Sequence, residues 1–192
     1  MTAASNQVQR RTRLLRWVAL SALLILPACA PFATYPPDGD GPNTYPWMAP
    51  GPEVMATGLM QAHARIAPDS PFVYNLPPGI SRMAWDDVQV RLGADARPME
   101  PGDKVVWDLQ RFGVRNTRAF ADIGYWDNGK AVLITVSMER ENIAPFKVTH
   151  VQRWYVSLTP PESNAPAKDT APEKTTEGDA ASDSAESGAA VK

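Results

Sequence analysis

The chain has 192 residues, 44% hydrophobic and 21% charged, with 19 prolines, one cysteine and a formal charge of −2. That length allows one domain with flanking segments, and a lone cysteine excludes an internal disulfide. Arg10, Arg11, Arg13 and Arg16 mask an acidic remainder of 15 basic against 21 acidic residues, while residues 53–158 carry 12 of each, which excludes the basic surface that nucleic-acid binding requires.

Residues 1–28 have the layout of a secretory signal: arginines without an acid, then the apolar run Trp17 to Leu26. That run is about ten residues long and is bounded by Arg16 and Pro27, whereas a spanning helix needs roughly 20, so an uncleaved membrane span is the weaker reading. Leu26-Pro27-Ala28-Cys29 resembles the lipobox of bacterial lipoproteins, with Pro27 standing where the family has a small residue. The resemblance covers only the first 29 or so residues. It implies cleavage before Cys29, a diacylglyceryl group on the thiol and an acyl chain such as palmitate on the new amino terminus. Two or more acyl chains anchor a protein stably to a lipid bilayer, where one holds weakly. In the lipoproteins of well-studied Gram-negative bacteria that this segment resembles, a residue other than Asp after the cysteine, here Ala30, goes with sorting to the outer membrane, so the resemblance implies an outer-membrane chain facing the periplasm. A rival cut at Ala28-Cys29-Ala30 fits the A-x-A pattern and would release a soluble chain, but it puts Pro31, with no N–H and a fixed φ, just after the scissile bond. Arg10-Arg11 fits part of a twin-arginine signal, yet Arg13 occupies a place that prefers an apolar residue, which favours the general export route.

Residues 29–52 read as the lipidated Cys29 followed by a Pro- and Gly-rich spacer able to hold a domain away from the bilayer. Tyr35, Tyr45, Trp47 and Met48 are apolar for a free linker, and either packing on the domain or contact with lipid headgroups accounts for them. Asp38-Gly39-Asp40-Gly41 lacks the third acid of a calcium loop and reads as turns. Residues 53–158 form the expected domain. Pro52 opens a first helix with Met55, Leu59, Ala62 and Ile66 on one face; Gly58 weakens it and Pro68 stops it. A loop follows, with a short extended piece at Phe72 to Tyr74. A second helix spans Arg82 to Leu92, capped by Ser81 and ended by Gly93. The period then becomes two, giving strands over Lys104 to Phe112, Arg118 to Trp126, Lys130 to Glu139 and Lys147 to Leu158, with Asp127-Asn128-Gly129 as a hairpin turn. In the last strand Val148, His150, Trp154, Val156 and Leu158 share one parity. Residues 159–192, with 3 lysines against 7 acids and no aromatic, read as a disordered acidic tail.

The fold class expected is α+β: two N-terminal helices packed on a four-stranded antiparallel sheet, with the element order of a cystatin-like or NTF2-like roll. Trp85, Trp107 and Trp154 are expected between helix and sheet, and Trp126 as an exposed contact. No nucleophile elbow, phosphate loop, zinc helix or dinucleotide fingerprint is present. His63 reads as a helix-surface residue, and His150 as a half-buried structural one because Gln152 stands where a second ligand would be needed. Asp86 and Asp87 diverge by about 100° on a helix and cannot flank one atom. Arg111, Arg115 and Arg118 read as solvated or paired with nearby acids. The site residue predicted is therefore Cys29, as a lipidation site, with no catalytic residue, cofactor or metal. The expected function is that of a non-enzymatic lipoprotein displaying a small domain with a structural or protein-interaction role at the envelope. The alternative is a small-ligand binder with a pocket between helices and curved sheet. Expected partners are the lipid bilayer, through Cys29, and an envelope protein.

Overall fold

The computed structural model describes residues 31–166. Cys29, the lipobox and residues 167–192 of the expected tail lie outside the described residues. The elements run β1 (Ala33–Tyr35), α1 (Gly51–Ile66), β2 (Phe72–Asn75), α2 (Arg82–Leu92), β3 (Ala96–Pro98), β4 (Val105–Arg115), β5 (Arg118–Asp127), β6 (Lys130–Glu139) and β7 (Lys147–Trp154).

The expected four-stranded antiparallel sheet is corrected to a seven-stranded mixed sheet in the order β3-β2-β4-β5-β6-β7, with β1 also on β4, and this sheet rather than the two helices dominates the fold. The β4–β7 meander is antiparallel, with Asn128 and Gly129 both at positive φ in the expected hairpin turn. The strands missed are β1 and β3, of three residues each and too short to show a period, while the extended piece expected at Phe72 to Tyr74 is β2. β2 joins β4 in parallel through Tyr74 and Asn75, and β3 joins β2 in parallel after α2 has crossed over. β1 pairs antiparallel with the other end of the same β4 edge, Tyr35 opposite Phe112 and Ala33 opposite Val114. β1 lies in the stretch expected to act as a spacer. Parallel pairing at β2 and the extra strands on β4 also set this sheet apart from the helix-then-meander order expected of a cystatin-like or NTF2-like roll.

Both helices form where expected. Ser81 accepts from the Ala84 N–H at the start of α2, and Gly93 ends it at φ 88°. α1 lies against β5. Gly58 is what allows its approach, since a Cβ there would sit 2.6 Å from the Ala121 Cβ. Leu59, Trp107, Phe112, Ile123, Ile134 and Val136 are fully buried between α1 and the sheet, so that part of the space expected for a pocket is filled.

Two β-bulges reset the parity of the sheet. One in β4 follows Leu109, and the core-facing series runs Trp107, Leu109, Phe112. The other, at Thr149 in β7, leaves Val148 and Val151 toward the core and turns His150, Gln152 and Trp154 away. A one-residue shift reverses every side chain beyond it. His150 is accordingly exposed rather than half-buried, and Trp154 is 43% exposed on the far face instead of packed between helix and sheet.

Beyond β7 the chain crosses back over that far face as a strap from the β7 edge toward β2 and β3. Leu158 rests at Gly124 of β5, where a Cβ would come within 3.3 Å of the leucine Cδ1. Beneath the strap Val73, Met99, Val106 and Trp126 form a second small cluster with Leu158. Trp126, expected as an exposed contact, is 8% exposed there.

Candidate functional site

The strap ends in a polar socket. Asn75, 1% exposed at the end of β2, donates from Nδ2 to Asp108 Oδ1 (2.8 Å) and to the Glu162 carbonyl (2.9 Å), and its Oδ1 accepts from the Asn164 N–H (3.0 Å). Asn164 Nδ2 donates to the Leu76 carbonyl and Ser163 Oγ to the Met99 carbonyl. Residues 162–164, in the stretch expected to be a free tail, are thus tied to β2 and to the chain after β3. Composition predicts disorder from lack of apolar area; here hydrogen bonds to a buried amide do the holding. Burial raises the Asp108 carboxyl above its ordinary value, while bonds from Asn75 and Gln110 pull the other way.

Two clefts border the strap. The larger, of about 660 Å³, lies between α2, β3 and residues 163–166. Its apolar wall is Tyr74 and Trp85, with ring centroids 5.5 Å apart, together with Met99 and Pro166. Tyr74 donates to Gln89 Oε1 at 2.9 Å, and burial, assisted by the charge of Asp86, pushes its phenol well above the usual range. Gln89 is fixed in turn, donating to the Gly93 and Ala96 carbonyls. The Trp85 Nε1 is buried without a hydrogen-bond partner. The cleft's cation, Arg97, makes a two-pronged pair with Asp103 (2.8 and 2.6 Å), which holds that carboxyl below its ordinary value. The smaller cleft, about 470 Å³, lies between Trp126, the β5–β6 turn and Pro160-Pro161.

Away from the strap, the far face carries a polar row. Asp122 accepts from Arg111 Nε (2.9 Å) and from Thr135 Oγ1 (2.7 Å), and Trp154 Nε1 donates to the same threonine oxygen (3.1 Å). Arg111 also reaches Asp38 at 3.1 Å, Arg118 pairs with Glu139, and Arg115 lies over the Phe32 ring. The three arginines therefore engage neighbours on the same molecule. At the sheet margin β7 exposes one edge, and the chain leaves it through Trp154, Tyr155 (86% exposed) and Val156. Lys147, Arg153 and the bulge guard that edge against indiscriminate strand pairing.

The other predicted residues take structural places. His63 Nε2 sits 2.9 Å from the Ser70 carbonyl, and its ring stacks on Phe72 and meets the edge of Trp107. Asp87 pairs with Arg91 one helical turn on, and Asp86 lines the larger cleft. Asn75 and the strap were missed by sequence reasoning; the only signal was an Asn following an apolar triplet. Among the described residues no group of three or more His, Cys, Asp or Glu is placed to hold a metal ion, and no helix is long and apolar enough to cross a membrane. The chain matches no family model, and no curated protein or solved structure matches it.

Proposed function

We propose that this chain is a lipoprotein held in the bacterial outer membrane by acylated Cys29, displaying its sheet domain to the periplasm in a structural or protein-interaction role. The observation that carries the reading is the sequence Leu26-Pro27-Ala28-Cys29 closing a ten-residue apolar run that four arginines precede. The surface best suited to a protein partner is the free edge of β7 with Trp154, Tyr155 and Val156, since exposed strand edges recruit chains by adding a strand and aromatic side chains supply the anchors.

Mass measurement and membrane fractionation test the anchor. The native chain is expected in the membrane fraction with the mass of a diacylglyceryl and acyl group on Cys29, and Cys29→Ala in the soluble periplasmic fraction. A soluble, unmodified native protein beginning at Pro31 refutes the proposal. A second reading, a small-ligand binder, is favoured by the cleft of about 660 Å³ with its Tyr74–Trp85 wall. It predicts a small molecule retained through purification and lost on Trp85→Ala, whereas the interaction reading predicts crosslinked partners lost on Tyr155→Ser.

A further inference from the structure

We infer that the turn Tyr45 to Met48 docks into the headgroup layer of the bilayer that anchors the chain, so that the domain lies on the membrane instead of hanging from it. This deepens the reading above and rests on acylation of Cys29.

Three large apolar side chains are exposed within this one turn: Tyr45 (52%), Trp47 (45%) and Met48 (57%), with the two rings 5.3 Å apart. The turn is not free to fold inward. Met48 N–H donates to the Tyr45 carbonyl and Gly51 N–H to the Met48 carbonyl, which fixes it against the start of α1. It is also tied to the first strand, because Thr34 N–H donates to the Pro42 carbonyl and Thr44 N–H to the Thr34 carbonyl, both at 3.0 Å.

Thr34 follows Cys29 by five residues. Fully extended, that much chain spans at most about 18 Å. A compact chain of the described length has a radius of gyration of about 14 Å. The tether is therefore about as long as the domain's own radius, and the surface beside Thr34 is the one nearest the acyl chains. That surface carries tyrosine and tryptophan, which join an apolar body to a polar tip and concentrate at membrane–water interfaces. The charges around this segment are of both signs: Asp40, the Asp38–Arg111 pair, and Arg115 over the Phe32 ring. With these charges balanced, docking uses aromatic insertion and does not depend on anionic lipid.

The acylated full-length protein provides the test, because acylation of Cys29 leaves an introduced cysteine as the only free thiol. Met48→Cys, Val90→Cys and Tyr155→Cys each receive an environment-sensitive fluorophore, and the protein is reconstituted into phosphatidylcholine vesicles containing nitroxide-labelled lipid. The probe at position 48 is expected to be quenched several-fold more than those at 90 and 155, unchanged on adding anionic lipid. Adding Tyr45→Ser and Trp47→Ser should bring it to the level of position 90 with the acyl mass and circular dichroism preserved. Equal quenching at 48 and 90 in acylated protein overturns the docking alone, as does quenching that appears only with anionic lipid. An unmodified Cys29 by mass overturns the anchor and the docking together.

Discussion

Asn75 and Asp108 make a small polar knot in which one buried amide serves two purposes. Its Nδ2 meets the carboxylate and the strap carbonyl, and its Oδ1 takes the strap amide. Buried polar groups persist when their hydrogen bonds are complete. The carboxylate is the strained member, since burial raises its pKa above the ordinary 3.8. The folded state therefore holds this proton more tightly than the unfolded chain. Its contribution to stability is full below about pH 3.9 and is lost as the pH rises through the raised value. Asp108→Asn keeps an acceptor for Asn75 and has no charge to bury. It should fold, remove that loss, and gain stability relative to the native protein as the pH rises from 4 toward neutrality. Denaturant unfolding at a series of pH values reads this, and parallel curves for the two proteins would refute it.

At the scale of elements, a helix and two bulges set what each face of the sheet shows. Gly58 counts against α1 by propensity, by about 1 kcal/mol relative to Ala. In the fold it is the point of closest approach to β5, where an added methyl would collide with Ala121. Gly58→Ala should therefore destabilise the protein by about 1–3 kcal/mol despite improving the intrinsic helix preference. Chemical denaturation measures the change, and a stabilised variant would show that the helix can move outward without loss. The bulge at Thr149 has a comparable reach, because it alone decides that Val151 and not His150 faces the core. Alternation was readable along β6, where Val132, Ile134, Val136 and Met138 keep one side throughout, because that strand pairs with β5 without a break. It was misread in β7, since an extra residue leaves no mark in composition.

For the molecule as a whole, the meander lies between segments that the sequence presents as accessories. β1 adds to β4 from the Pro-rich stretch, and the strap closes over the opposite face from the start of the acidic stretch. Ending the chain after Leu158 exposes Asn75, Met99 and Trp126, whereas ending it after Pro166 retains every bond of the strap. The shorter chain should be less stable than the longer by about 2–6 kcal/mol, from four lost hydrogen bonds at about 0.5–1.5 kcal/mol each, with lost apolar contact acting in the same direction. Thermal unfolding of the two truncations compares them directly, and equal midpoints would mean that the strap adds no stability.

By itself the sequence determined the two helices, the β4–β7 meander and the hairpin at Asn128-Gly129, because capping, periodicity and positive φ are local requirements written in adjacent residues. It also holds Leu26-Pro27-Ala28-Cys29, the short local motif on which the proposed anchor rests. Only the tertiary structure decided that β1 and β3 are strands and that β2 joins the sheet, that Trp126 is covered while Trp154 is exposed, and that residues 162–164 are held. Strands of three or four residues have too few alternations to show a period, and their pairing is supplied by β4. The strap is held by a buried amide some ninety residues earlier in the chain, a contact that no local pattern encodes.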